Sequence, residues 1–256
     1  MIPSNMHRIY GSFTLKRASV EDICLLSRYH YRPFPRQPYV RAWKICESPT
    51  EEGGNESPIG VIVYSMPVLN CGTRRIATNG FFDGGDKPLR LRRLNRYVRR
   101  ISRVIMDPRY RGLGLASRLV RETMPMLEAP MVEATAVMGQ LSGFFEQAGM
   151  RRFEVPLRPE AAALKQVLLK EGITEDLWID AGAVQNRIDA LPAVEKEAAE
   201  RKMHRFIEAY GRRRAMPAGI ERTRFIMSRL CAQPSYYIWI NPKMNLRFHM
   251  GNSAGT

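Results

Sequence analysis

The 256-residue chain is poor in the residues that build metal frames and cross-links, with four cysteines and four histidines. Cys24, Cys46, Cys71 and Cys231 are scattered and form no CxxC pair, which excludes a zinc ribbon or a disulfide framework and reads as reduced, packed thiols. No run of eighteen apolar residues occurs, so no membrane span is expected. The opening Met1-Ile-Pro-Ser-Asn-Met-His-Arg8 lacks the apolar centre of a signal peptide, and a cytoplasmic location is expected. There is no internal repeat. Acidic residues are the other scarcity: 25 Asp and Glu stand against 40 Lys and Arg, a formal charge of +15. An excess of this size implies a polyanionic partner or a strongly positive surface. Between Lys87 and Arg121 there are twelve Lys or Arg and a single acid, Asp107, so most of the excess is concentrated there.

That basic stretch contains the most informative segment, Ile101-Ser-Arg-Val-Ile-Met-Asp-Pro-Arg-Tyr-Arg-Gly-Leu-Gly-Leu-Ala-Ser-Arg-Leu-Val120. An apolar strand runs through an Arg-x-x-Gly-x-Gly turn directly into a helix. Glycines accept positive φ and let a ligand approach the backbone, and a helix start offers unpaired N–H groups and a favourable dipole to an anion. The turn lacks the Gly-Lys-Ser/Thr ending of an ATPase P-loop. It also lacks the third glycine of the dinucleotide fingerprint.

The flanking patterns suggest alternating strands and helices. Strands are expected at 12–17, 40–46, 59–65, 102–106, 131–137 and 152–155, and helices from Ser19 to Tyr29, Leu115 to Leu127 and Leu141 to Ala148. Residues 70–90, rich in glycine, read as a long loop, and Leu91 to Arg100 fits either a helix or the lead-in to a strand. Beyond Pro156 the periodicity turns helical, at Pro159 to Lys170, Asp180 to Ala190, Pro192 to Tyr210 and Ile220 to Cys231. Residues 235–241, Ser-Tyr-Tyr-Ile-Trp-Ile-Asn, return to strand character and are expected to rejoin the main sheet. The resulting division is a core at 1–156 and a mainly helical C-terminal extension at 157–256.

The strand-turn-helix at 101–120 resembles motif A of the GNAT acyltransferase superfamily. The resemblance extends to Met131-Val-Glu-Ala-Thr-Ala-Val-Met138, to Gly143-Phe-Phe-Glu-Gln-Ala-Gly-Met150 and upstream to Phe13-Thr-Leu-Lys-Arg-Ala-Ser-Val-Glu-Asp-Ile23, about residues 12 to 155. It implies an α/β (α+β) fold with a central mixed, largely antiparallel twisted sheet flanked by helices. It also implies acetyl-CoA or another acyl-CoA as donor, with the pyrophosphate held by the turn. The cofactor-binding residues so implied are Ile105, Met106, Arg109, Tyr110, Arg111, Gly112, Leu113, Gly114, Leu115 and Ala116. The chemistry implied is attack of an amine on a thioester, which needs a base, an acid for the leaving thiolate and an oxyanion donor.

Two positions depart from the family. Phe145 stands where a tyrosine usually serves as thiolate acid, and Met138 where an asparagine is common; neither donates a proton. Either another group serves or the donor is not an ordinary acyl-CoA. Tyr31, Tyr110, Tyr236 and Tyr237 are the alternative acids, and Asp107, Glu133 and His30 the alternative bases. His30 and Tyr31 stand together before the proline-rich Arg32–Pro38 loop, which in this family borders the acceptor site. With no second ligand at metal spacing, no metal is assigned. Arg92, Arg93, Arg96, Arg99 and Arg100 exceed what one cofactor phosphate needs, and point to a nucleic-acid backbone, DNA before RNA. The combination is also similar to phage Mom-type adenine-modifying proteins and to the acetyltransferase-like module of certain ABC-type ATPases; the first implies an adenine amine as acceptor and, for a phage protein, the host cytoplasm. A conventional N-acetyltransferase of a small amine or protein and a non-catalytic nucleic-acid-binding scaffold are the competing readings.

Overall fold

The computed structural model describes residues 13–30, 38–47, 57–137, 143–209, 216–231 and 234–244. Two compact units emerge: residues to Glu154 together with the segment from Ser235 form one, and Val155–Pro234 the other.

The first unit is built on a seven-stranded sheet ordered β1-β2-β3-β4-β5-β7-β6. Its strands are β1 (Phe13–Arg17), β2 (Arg41–Glu47), β3 (Pro58–Ser65), β4 (Val98–Met106), β5 (Met131–Ala136), β6 (Arg151–Glu154) and β7 (Ser235–Ile240). All neighbours run antiparallel except β4 and β5. That parallel pair needs a crossover, which the helix α4 defined below supplies. The C-terminal strand enters between β5 and β6, in register from Met131↔Ile240 to Ala136↔Ser235.

Helices close both faces. On one, α1 (Val20–Ser27) begins with a capping box in which Ser19 and Asp22 satisfy each other's amides, and it buries Ile23 and Leu26 against Ala42, Val61, Val63 and Ile105. The expected 70–90 loop is instead interrupted by α2 (Gly72–Ala77) and by α3 (Lys87–Tyr97). The glycine count obscured this, because Asp86 caps α3 by accepting the Leu89 amide at 2.8 Å and Pro88 sits in its first turn, where no N–H is needed. Both readings of 91–100 hold in part: the helix ends at Tyr97 and β4 starts at Val98.

On the opposite face lies α4 (Leu115–Thr123), with Leu115, Leu119, Val120 and Thr123 buried. Each such aliphatic side chain contributes about 1.5–3 kcal/mol by leaving water. The Tyr64 hydroxyl of β3 meets Thr123 Oγ1 at 2.7 Å, pinning the helix to the sheet. The short α5 (Phe144–Gln147) packs on this face through Phe145. Met124–Leu127, expected as the end of α4, tightens into a 3₁₀ turn at Pro125.

The second unit is helical: α6 (Pro159–Lys170), a 3₁₀ turn at Glu175–Ile179, α7 (Ala181–Asp189), α8 (Ala193–Ala209) and α9 (Ile220–Cys231). Leu164, Leu168, Trp178, Val184, Met203, Phe206 and Ile226 form its core.

Candidate functional site

β4 and β5 are paired over only four rungs, Val98–Ile101 with Met131–Ala134. Past that point β4 stays with β3 as far as Met106, and β5 stays with β7 as far as Ala136. The two parallel strands therefore part at their carboxyl ends and open a fork, with Ser102 and Thr135 exposed at its root. Ligands of α/β sheets collect at such places, because edges left by diverging strands carry unused main-chain groups.

The Asp107 amide donates to the Ile59 carbonyl at 2.8 Å. Antiparallel ladders alternate, so Ile105 also turns its main-chain groups to β3, and those of Val104 and Met106 face the fork. Arg111 Nε donates to the Met106 carbonyl at 3.3 Å. The Val104 edge has no ladder partner on the β5 side among the described residues. It has the character of a donor for a thioester oxygen.

The turn follows directly on the carboxyl end of β4. Asp107 accepts the Arg109 amide at 3.0 Å and starts a 3₁₀ turn at Pro108–Tyr110. Tyr110 donates to Glu47 Oε2 at 2.7 Å, tying the turn to β2. Gly112 and Gly114 take φ of +82° and +73°, in the left-handed region that penalises side chains. The first bond inside α4 runs from the Arg118 amide to Gly114 O at 3.0 Å, so the amides of Leu115, Ala116 and Ser117 have no partner within the helix. The N-cap residue, Gly114, has no side chain with which to cap them, and the first turn of α4 holds no acidic residue. A Cβ placed on Gly112 would meet open space. Uncapped amides, an open approach and the absence of carboxylates fit a pyrophosphate.

The cofactor residues expected from sequence take different parts here. Gly112, Gly114 and the amides of Leu115 and Ala116 line the turn at the start of α4, and Leu113 is exposed beside them. Ile105 packs on the α1 face and Met106 on the α4 face. The Arg109 Nε and Nη2 atoms are engaged by Asp107, at 3.1 and 2.8 Å.

The expected acids and bases fare less well. Arg109 holds the Asp107 carboxyl down at about 2, so at neutral pH it is a poor base and serves the turn. Because the folded pKa is depressed, the stability that this pair contributes is present above about pH 4 and is lost as the pH falls toward 2. Asp107→Asn is expected to flatten that acid limb, measured by urea unfolding at pH 5, 4 and 3.

His30 receives Arg103 Nη1 on its Nδ1 at 2.9 Å. A guanidinium only donates, so Nδ1 carries the lone pair and the neutral ring bears its proton on Nε2. The lone pair that the expected base would use is therefore engaged by Arg103. Tyr31 and Met138 lie outside the described residues.

Tyr236 sits on the sheet face away from α4 and is 1% exposed. Its hydroxyl donates to Glu133 Oε2 at 2.5 Å, while Arg74 Nε and Nη2 reach the same carboxylate at 2.7 and 2.6 Å. Burial pushes the Tyr236 hydroxyl well up. The triad is a sealed structural cluster, which removes both Tyr236 and Glu133 from the chemistry. Its third member, Arg74, comes from α2, inside the segment expected to be a loop.

Phe145 is buried between Phe144 and Tyr237, ring centroids 4.2 and 4.9 Å away. Tyr237 is thus the phenol beside the position where the family has its acid. Its hydroxyl donates to Glu146 Oε1 at 3.4 Å.

Arg92 and Arg96 are exposed on α3, one helical turn apart. Arg93 donates to the Phe81 carbonyl at 3.3 Å and Arg99 to the Val98 carbonyl at 2.8 Å. None of Arg90, Arg92, Arg93, Arg96, Arg99 and Arg100 has an ion pair among the described residues. The helical unit differs: Lys165–Glu175, Lys196–Asp189, Arg201–Glu197, Arg222–Glu200 and Arg224–Glu221 are all paired. No cluster of three His, Cys, Asp or Glu suited to a metal occurs among the described residues.

No family model matches the chain, and no curated protein matches its sequence. Among solved structures it is similar to Arabidopsis thaliana NAA60 in complex with acetyl-CoA, at TM-score 0.41 and 11% identity over 56% of this chain and 90% of that one. It is similar to the ribosomal-protein-S18-alanine N-acetyltransferase from Escherichia coli, at TM-score 0.34 and 11% identity over 57% and 81%. A third similarity is to the NatC complex bound to Gag peptide and CoA, at TM-score 0.35 and 15% identity over 57% and 87%.

Proposed function

We propose that the protein transfers an acyl group from a CoA thioester to an amino group of a nucleic acid, DNA before RNA. The observation that carries the donor half is the fork between β4 and β5 ending on uncapped α4 amides: a slot for an extended arm, closed by an anion seat. Bound there, the thioester supplies the activated acyl group. The Gly112–Ala116 turn holds the pyrophosphate, and the main chain at Val104 lines the slot. The acceptor nitrogen bonds to the acyl carbon as the carbon–sulfur bond breaks, and its proton leaves with the sulfur as the CoA thiol. Tyr237, buried beside Phe145 with its hydroxyl on Glu146, is the phenol proposed to hand over a proton on the sulfur side.

Two observations favour a nucleobase as acceptor. The arginines of 90–100 lack carboxylate partners among the described residues, which suits a phosphate backbone. Asp107 is held by Arg109, Glu133 by Arg74, and the His30 lone pair by Arg103. A site with its bases committed suits a neutral exocyclic amine better than an alkyl ammonium, which must lose a proton before it can attack. Such a base has to leave the stack to reach the fork.

The test is mass spectrometry of nucleosides from DNA and RNA of cells expressing the protein, beside the Gly112→Val/Gly114→Val variant. A new nucleoside mass that disappears in the variant is expected. Acyl-CoA binding with unmodified nucleic acid selects a small amine or protein as acceptor, and nucleic-acid binding without any new mass selects a non-catalytic scaffold.

A further inference from the structure

A second basic locus lies at the other end of the sheet from the turn. β1 ends at Arg17 and β2 begins at Arg41, and between them opens a cleft of about 360 Å³ lined by Arg17, Ala18, Tyr39, Val40, Arg41 and Ala42. Arg17 and Arg41 are both exposed. The Arg17 guanidinium lies 4.3 Å over the ring of Trp43, its cross-strand partner, which holds the charge in place. Arg99, at the start of β4, stands two residues before Ile101, which lies across Tyr64 from Arg41 in the sheet register, and burial and the nearby Arg41 charge lower its pKa. Like charges gathered without an anion repel. Yet none of the three has an ion pair among the described residues. Asp22, which follows Arg17 in α1, is taken by Lys44 at 3.0 Å.

We infer that this cleft seats a phosphodiester of the nucleic-acid acceptor, with Arg17, Arg41 and Arg99 around the phosphate and Tyr39 at its side; the inference rests on the nucleic-acid reading given above. Geometry favours a polymer over a mononucleotide. β4 spans nine residues from the Arg99 end to the turn, roughly 30 Å at about 3.3 Å per residue. A strand at about 3.4 Å per nucleotide covers that distance with about nine nucleotides. Arg92 and Arg96 continue the path, because α3 runs without a break into β4.

The experiment is fluorescence anisotropy of labelled 20-mer duplex and single-stranded DNA with the full chain, from 50 to 300 mM NaCl. For Arg17→Ala/Arg41→Ala, loss of that one phosphate contact is expected to flatten the plot of log Kd against log salt by about 0.9 and to weaken duplex binding about eightfold at 0.1 M. Arg41→Lys should keep the slope. CoA affinity and the thermal midpoint should match wild type, since both side chains are exposed. If wild type binds DNA and the double variant binds it with the same slope, the cleft is not a backbone site although the nucleic-acid reading stands. If wild type binds no oligonucleotide, both fail. If inorganic phosphate or AMP binds wild type as tightly as DNA and loses that binding in the double variant, the cleft serves free phosphate and the polymer inference is overturned.

Discussion

Replacing Gly112 and Gly114 together by valine is expected to weaken CoA binding about a hundredfold while the sheet unit stays folded. Both positions hold positive φ, +82° and +73°. Left-handed backbone costs an ordinary L-residue roughly 1–2 kcal/mol, and a β-branched one more. Nothing stands in the way of a Cβ at Gly112, so the penalty there is conformational and no neighbour can relieve it by moving. The turn escapes the strain by changing its dihedral angles, which turns the amides of Leu115, Ala116 and Ser117 away from a common point. A hundredfold loss corresponds to about 2.7 kcal/mol, in the range of two such penalties. Isothermal titration with CoA measures the affinity, and circular dichroism with thermal unfolding checks the fold. An affinity within twofold of wild type, with the fold intact, would mean that the pyrophosphate sits elsewhere.

The second large effect is on stability. Glu133→Ala is expected to destabilise the sheet unit by about 3–5 kcal/mol, because it leaves a buried guanidinium without its counter-charge. Arg74 is 2% exposed and Glu133 likewise, so water cannot replace the lost carboxylate. The Tyr236 hydroxyl, which donates to the same oxygen, is orphaned as well. Urea unfolding followed by tryptophan fluorescence reads the change. The double replacement Arg74→Met/Glu133→Leu should recover most of the loss, since it removes both charges together. If Glu133→Ala unfolds within 1 kcal/mol of wild type, the pair is not the clamp between α2 and β5. The cluster also has a pH signature. Burial beside Glu133 raises the Tyr236 pKa, so the folded state favours the protonated phenol. The stability tied to it is present below about pH 10 and is lost as the pH rises beyond. Tyr236→Phe should remove that part of the alkaline limb.

The elements that local rules govern were legible in the chain. The 101–120 segment carries its own apolar run, its two glycines and its helix start within twenty residues, so strand, turn and helix follow from neighbours alone. Residues 72–97 were not legible in this way: their glycines suggested a loop, while the Asp86 cap and the burial of Leu94 stabilise helices there. The groups expected from sequence to move protons share one trait. Asp107, Tyr236 and Glu133 are each residue types able to move a proton, and each is committed to an arginine or to another member of the same cluster. Arg74 lies 59 residues from Glu133 and Arg103 lies 73 from His30, separations over which no spacing rule operates.

By itself, then, the sequence determined the alternation of strands and helices, the glycine turn at 112–114 and the concentration of positive charge around it, because each depends on dihedral preference, periodicity or composition. Only the tertiary structure decided that β4 and β5 part after Ile101 and Ala134, that Ser235–Ile240 threads between β5 and β6, and which charged groups are committed. Those depend on long-range register, which brings together residues that the chain keeps far apart.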